Sequence, residues 1–521
     1  MSNPNAPFHP IIYVRGYAMT EREQDETTAD PFCGFNLGST VYRATPNKDK
    51  PAKKFIFESP LLRLTSDHGY RDIYENGLDI MDDDWEGSIQ PRSIVIYRYY
   101  EQASALLGSG ETPEITEFAR GLSRLILRVR DLVCAHPDSG VTPDDFRCYL
   151  VAHSMGGLVC RAFLQNAALG DEQARRAVDK VFTYATPHNG IDLAGLNVPK
   201  WLNVADMKNF NRDYMAEYLD LHTLRDKSGR VDWLPEVAFP SERFFCMVGT
   251  NRADYEVAAG LSRTFAGHGS DGLVRIDNAS VWGVNAKGEV SAPCATAYAY
   301  RAHSGYFGIV NSEEAYQNLT RFLFGDIRVD IWIDIESVQL PPEIQGKPVN
   351  ALYQFELLAS PRGKRWYLTR RMAEEDSVAC RSHQELIDPA NRSARGLYLS
   401  SVFLAKHARV NPEQPSLAYS LTLGVRVPDY EVERKFWPDA HFEGGYLFRD
   451  ALGVEIAPPQ QSGESWTALF DWQSDQIGRA SRPLAPQTLK TGKLVMSIPF
   501  GSARSPGIAG QLRFVVSAWN E

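Results

Sequence analysis

Residues 147–157 read Arg147-Cys148-Tyr149-Leu150-Val151-Ala152-His153-Ser154-Met155-Gly156-Gly157, and they constrain the chain more than any other run. An apolar segment with strand character, Tyr149–Val151, runs straight into a His-Ser-Met-Gly-Gly turn, and a helix-like stretch follows from Leu158 to Ala168. Strand, tight turn and helix in that order put a serine at the tip of a strained turn, its hydroxyl exposed above a sheet. The residues two before and two after Ser154 have to be small, because strand and helix backbones nearly touch there. Ala152 and Gly156 meet that need.

A serine hydroxyl is too weakly acidic to attack unaided, so it needs a base, and the base needs an acid to orient it. The strand–serine turn–helix run resembles the nucleophile turn of α/β-hydrolases, and that resemblance implies the chain order serine, acid, histidine. Residues 267–274, Gly-His-Gly-Ser-Asp-Gly-Leu-Val, set Asp271 in a turn. Residues 302–312, Ala-His-Ser-Gly-Tyr-Phe-Gly-Ile-Val-Asn-Ser, set His303 in a loop just before a helix-like close, Glu313 to Phe324. His303 suits a general base near neutral pH, and Asp271 suits the fixing of its tautomer. Asp254, soon after the apolar run Phe244–Val248, and Asp277 are rival acids.

Near the N-terminus, Pro10-Ile11-Ile12-Tyr13-Val14 is an apolar strand ending in Arg15-Gly16-Tyr17. A backbone N–H at such a strand end, here that of Tyr17, together with the N–H of Met155 after the serine, would form an oxyanion hole. Arg15 would either face the site and attract an anionic substrate or cap the strand.

Residues 8–324 resemble a serine α/β-hydrolase, and within that superfamily the lipase and esterase branch. Four motifs carry the resemblance: Arg-Gly-Tyr at 15–17, Ala-His-Ser-Met-Gly-Gly at 152–157, Ala-Thr-Pro-His-Asn-Gly at 185–190, and Ser-Asp-Gly-Leu-Val at 270–274. It implies Ser154, Asp271 and His303 as a catalytic triad. The departures are Ala152, where the first glycine of the elbow is usual, and Arg15, where histidine is usual.

Apolar runs alternate with helical patterns: Ile11–Val14, Ser93–Tyr100, a helix Ile115–Val133, the serine strand and its helix, then Val181–Ala185. That order predicts a mostly parallel sheet flanked by helices, with ligands at the carboxyl ends of its strands. The segment 192–240, inserted after the Thr-Pro-His turn, is expected to be a cap whose apolar residues bury against the domain or meet an acyl chain. Arg15, His153, Trp201, Met207 and Phe210 are the candidates for substrate contact. Asp82-Asp83-Asp84 has no His or Cys nearby to complete a metal shell and reads as a solvated turn.

Past residue 325 the pattern changes. Residues 327–337 alternate as a half-buried strand does, and short strand-like runs recur at Ala351–Leu358, Arg365–Thr369, Leu397–Phe403, Leu417–Val427, Gly445–Arg449, Trp466–Trp472, Lys493–Ile498 and Gln511–Ala518. Strands at this spacing without long helices between them predict a β-sandwich. The expected organisation is a catalytic α/β-hydrolase domain, 1–325, and an all-β sandwich, 326–521, that binds lipid or a protein partner or serves neither.

A net charge of −10 and a pI near 5.7 argue against nucleic acid as a partner. The start of the chain lacks a charged n-region and apolar h-region, and the seven cysteines are odd in number and scattered, as in a reduced, cytoplasmic protein. Signal-independent export is compatible with the same features. The expected activity is hydrolysis of carboxylic esters, lipid or small-molecule, through an acyl-enzyme, with no cofactor or metal implied. Thioester hydrolysis, amide hydrolysis or acyl transfer would use the same triad, and a binding protein on a hydrolase scaffold is the non-enzymatic alternative.

Overall fold

The computed structural model describes the chain outside residues 1–6, 17–40, 44–52, 56–59, 74–79, 82–84, 98, 100–113, 194–195, 198–206, 225–228, 253–268, 305–307, 410, 412, 433–439, 458–466, 476–480, 485, 503 and 521. Its contacts divide into two units, one of Met1–Thr296 with Tyr300–Leu319, the other of Ala297–Ala299 with Thr320–Glu521.

The sheet of the first unit has seven strands: β1 (Ile11–Val14), β2 (Arg71–Asp72), β3 (Ser93–Tyr97), β4 (Cys148–His153), β5 (Val178–Tyr184), β6 (Phe244–Gly249) and β7 (Ala295–Ala299), of which Ala295 and Thr296 belong to this unit. They lie in the order β7-β6-β5-β4-β1-β3-β2, and the pairings β2–β3, β3–β1, β1–β4, β4–β5 and β5–β6 are parallel. Cys-Tyr-Leu-Val-Ala in β4 and Phe-Phe-Cys-Met-Val-Gly in β6 are buried throughout. Near-continuous apolar runs are what strands covered on both faces require.

The unit's helices range from amphipathic to buried along their whole length. They include α1 (Pro60–His68), α2 (Ile115–Cys134), α3 (Met155–Gln165), α4 (Glu172–Ala177), α5 (Arg212–Tyr218) and α6 (Glu313–Phe324). In α2, Phe118, Leu122, Leu125, Ile126, Val129, Leu132 and Val133 recur at helical spacing and are buried. Each such side chain contributes about 1.5–3 kcal/mol of transfer free energy. Helix α3 starts at Met155, three residues earlier than the residue pattern suggests. Gly156 and Gly157 are poor helix formers, but a Cβ on Gly156 would lie 2.2 Å from the carbonyl oxygen of Val14, and one on Gly157 would lie 2.2 Å from Thr186 Oγ1. Close packing, not propensity, selects those residues. Within the inserted segment 192–240, the described parts include a two-stranded hairpin (Asp192–Leu193 with Leu196–Asn197), a short 3-10 turn (Met207–Phe210), α5 and the strand Trp233–Pro235. The last pairs with Trp282–Val284 in a separate three-stranded sheet.

The second unit is all-β apart from short helical turns. Its strands are β8 (Ile327–Gln339), β9 (Val349–Pro361), β10 (Thr369–Arg371), β11 (Ala379–Ser382), β12 (Gly396–Leu404), β13 (Leu417–Val432), β14 (Ala440–Ala457), β15 (Thr467–Trp472), β16 (Arg482–Leu484), β17 (Gln487–Thr488), β18 (Leu494–Gly501) and β19 (Gly507–Ala518). One sheet runs β12-β8-β19-β18-β17. The other runs β10-β9-β13-β14-β15-β16, with β11 also on β9. Inward residues of both sheets, among them Ile331, Ile333, Leu399 and Leu512 from one and Tyr353, Phe355, Leu423 and Val425 from the other, share one buried cluster. Two antiparallel sheets closing on a common core make a sandwich.

Strands β11, β16 and β17 fall outside the expected runs, and two of the expected runs differ most from what forms. Arg365–Thr369 is not a strand. Gly363, at φ +80°, and the bond from Lys364 N–H to Pro361 C=O turn the chain there, and pairing starts only at Thr369. Strand β14 is much longer than Gly445–Arg449, because Gly444, where a Cβ would meet Val427 O at 1.9 Å, allows close backbone approach instead of breaking the strand. Among the described residues, no helix is long and apolar enough to cross a membrane.

Candidate active site

The carboxyl ends of β1, β4, β5 and β6 bring the sequence-flagged residues together. Ser154 follows β4 directly and has φ +52° and ψ −126°, a backbone region that a non-glycine residue occupies only when its surroundings force it. The forcing contacts are identifiable. Ser154 N–H donates to Tyr184 C=O at 2.9 Å, Gly157 N–H donates to Ser154 C=O at 3.0 Å, and Thr186 Oγ1–H donates to that same carbonyl at 2.8 Å. The Thr-Pro-His-Asn-Gly turn after β5 therefore braces the serine turn. Ala185, at the start of that turn, is itself at φ +48°.

Asp271 and His303 reach the same point from later in the chain. Asp271 Oδ1 accepts from the N–H groups of Leu273 (3.0 Å) and Val274 (2.8 Å), which fixes the carboxylate in a tight turn. Its Oδ2 lies 2.9 Å from His303 Nδ1, and His303 Nε2 lies 2.9 Å from Ser154 Oγ. A carboxylate only accepts, so His303 carries its proton on Nδ1 and presents a bare Nε2 to the serine hydroxyl. All three are buried, with 5%, 1% and 3% of Ser154, Asp271 and His303 exposed. Little water screens the chain of bonds, and charge that develops there is felt at close to full strength.

The loop that carries His303 is pinned. Arg301 C=O accepts from Asn251 N–H at 3.1 Å, while the Arg301 guanidinium pairs with Glu314 of α6. His303 N–H donates to Asp271 C=O at 3.0 Å. Of the rival acids, Asp277 is exposed to solvent, and Asp254 lies outside the described residues.

The remaining candidates divide. Met155 is the first residue of α3, where backbone N–H groups have no intrahelical acceptor. Tyr17 and Trp201 lie outside the described residues, as does the side chain of Met207. Phe210 is buried in the main core cluster. Arg15 is partly buried, its C=O accepts from Tyr99 Oη–H at 2.6 Å, and its Nη1 is buried without a hydrogen-bond partner among the described residues. His153 has Nε2 at 2.9 Å from the backbone oxygen of His303. Burial, reinforced by His303 and Arg15, pushes its pKa down to about 3.

Two contributors carry little signal in sequence. Gly249, at the end of β6, leaves the space that the Asp271 carboxyl occupies. Arg161 on α3 is fully buried and donates to Gln165 Oε1 and to the carbonyls of His188, Val231 and Trp233 at 2.8–2.9 Å. Its pKa falls to about 10 through desolvation, so it stays charged and ties α3 to the Thr-Pro-His turn and to the strand Trp233–Pro235. Only the run of apolar neighbours around it hints that this arginine is internal.

No family model matches the chain, and no curated protein does. Among solved structures it is similar to phospholipase PlaB from Legionella pneumophila, at 14% identity and a TM-score of 0.30, with 84% of this chain and 90% of that one covered. A PlaB structure in complex with thio-NAD matches at 14% identity and a TM-score of 0.28, covering 91% of each chain. A gene product of Listeria innocua matches at 12% identity and a TM-score of 0.24, covering 61% of this chain and 94% of that one. Identities this low carry no residue roles across.

Proposed function

We propose that the protein is a serine ester hydrolase in which Ser154 is the nucleophile, His303 the general base and acid, and Asp271 the residue that holds His303. The observation that carries this reading is the unbroken pair of 2.9 Å contacts from Asp271 through His303 to Ser154, with Ser154 strained at φ +52°. A structural serine gains nothing from that strain, whereas a nucleophile does.

The chemistry follows from the geometry. His303 Nε2 takes the Ser154 proton as Oγ attacks the ester carbonyl carbon, and the carbonyl oxygen becomes an oxyanion facing the N–H of Met155. The imidazolium, stabilised by Asp271, then gives its proton to the leaving alkoxide as the carbon–oxygen bond breaks. Water, deprotonated by His303, attacks the acyl-enzyme. The acid leaves, and the proton returns to Ser154 Oγ. Tyr17 is assigned the second oxyanion donor.

Lipid esters and other acyl esters are the proposed substrates, on the lipase-like motifs at 15–17, 152–157, 185–190 and 270–274. Arg15, whose buried Nη1 has no hydrogen-bond partner among the described residues and which lies at the strand end beside the serine turn, is assigned the recognition of a negative charge on the substrate. Hydrolysis of p-nitrophenyl esters from acetyl to palmitoyl by wild type and Ser154→Ala tests the reading. Turnover lost in the variant is expected; equal turnover in both would remove Ser154 from the reaction.

A further inference from the structure

The peptide of His303 is gripped from both sides. Its N–H donates to Asp271 C=O at 3.0 Å, and its C=O lies 2.9 Å from Nε2 of His153, the residue that immediately precedes Ser154. A carbonyl oxygen only accepts, so His153 carries its proton on Nε2. The two imidazole rings lie 5.1 Å apart, centroid to centroid. Two residues past the end of β1, a Cβ on Gly16 would come within 2.9 Å of His153 Nδ1 and equally of Ser154 Cβ. Burial holds the ring neutral, as a lone donor to a carbonyl should be.

Resting on the hydrolase reading, we propose that His153 is a positioning residue that sets the distance between His303 and Ser154. His303 is 149 residues from Ser154 along the chain, so nothing local fixes their separation. His153 does so in one step, because it is covalently joined to Ser154 and hydrogen-bonded to the backbone of His303. Asp271 fixes the orientation of the His303 ring, and His153 fixes where the ring is mounted. The donor has to reach past the serine turn to a backbone oxygen, which an imidazole Nε2 does and a short polar side chain does not. His153 thus serves the reaction without touching the substrate.

The test uses His153→Phe, which fills the ring's place without a donor, and His153→Gln, whose amide nitrogen restores a donor at nearly the same reach. With p-nitrophenyl butyrate, kcat of His153→Phe is expected to fall by about tenfold to a hundredfold with KM little changed, as for misplacement of a catalytic group. His153→Gln is expected to recover most of that loss. Unchanged kcat in His153→Phe, or equal losses in both variants, would overturn the proposal. Ser154→Ala assayed alongside separates the two failures, since wild-type hydrolysis that does not depend on Ser154 defeats the hydrolase reading instead. Nitrogen-15 NMR of histidine-labelled wild type reads the geometry without activity or a folded Phe variant. The resonances lost in His153→Gln should report a neutral Nε2–H ring from pH 8 to pH 5. An Nδ1–H tautomer, or protonation within that range, would contradict the proposed bond.

Discussion

Gly249 stands so close to Asp271 that a Cβ on residue 249 would lie 2.8 Å from Asp271 Cβ and 3.4 Å from its Oδ2, and 2.7 Å from the carbonyl oxygen of Arg301. The glycine that ends β6 makes room for the carboxylate and for the backbone of Arg301, two residues before His303. A Gly249→Ala change should push Asp271 off its 2.9 Å contact with His303. Overpacking of this kind costs about 1–3 kcal/mol of stability, and kcat for ester hydrolysis should fall further than the melting temperature implies. Full activity in a folded Gly249→Ala protein would count against Asp271 as the partner of His303.

Asp271→Asn keeps the shape of the side chain and removes its charge. The loss in kcat should reach the order of 10²–10⁴-fold, as expected when the histidine is left in the wrong tautomer. Asp277→Asn, on an exposed carboxylate, should leave kcat unchanged. Steady-state assays of the two variants side by side decide between the acids.

Gly156→Ala should destabilise the protein by about 3 kcal/mol or more, at the upper end of overpacking costs. Its Cβ would meet backbone oxygens of Val14 and Arg15 at 2.2 and 2.4 Å, and backbone cannot step aside as a flexible side chain can. Urea unfolding followed by circular dichroism gives the number. A change within the error of wild type would mean that β1 and α3 are further apart than described.

The serine turn is legible in the sequence because its constraints are local. Small residues at 152 and 156, an apolar strand before and a helix after are all written within twenty residues. Asp271 and His303, the proposed acid and base, are singled out in the sequence through turn chemistry and order alone. What holds them is not legible, because it comes from distant residues with no distinctive type. Thr186 braces the serine through one hydroxyl, Gly249 contributes only an absence of atoms, and the partner of His153 is a backbone carbonyl that any residue would carry. Helix α3 was obscured for a related reason: its first turn is chosen for closeness to β1, against helix propensity.

Arg15→Gln should change substrate preference more than rate. A charge-assisted hydrogen bond contributes about 1.5–3 kcal/mol, so kcat/KM for an ester with a negative group near the scissile bond should fall by about tenfold to a hundredfold. The neutral counterpart should change little. Equal effects on the charged and neutral esters would assign Arg15 to the strand end alone.

Lys180 on β5 is buried, with Asp179 at 3.6 Å, and desolvation pushes its pKa down to about 7 despite that neighbour. The unfolded chain holds the same proton up to about pH 10.4. Between those values the unfolded state binds more protons, so this residue makes stability rise with pH from about 7 upward, and its full penalty applies below. Lys180→Met should therefore stabilise the protein most at pH 6, with the gain shrinking by pH 9. Urea melts of both proteins at the two pH values check the slope. A gain that grows with pH would reverse the sign.

The most direct measurement is intact-mass and peptide mapping after reaction with a fluorophosphonate probe. One adduct per chain, on the peptide that carries Ser154 and absent from both Ser154→Ala and His303→Ala, is the predicted result. A folded wild type that takes up no label, or takes it up at another serine, would contradict the assignment of Ser154 as an activated nucleophile.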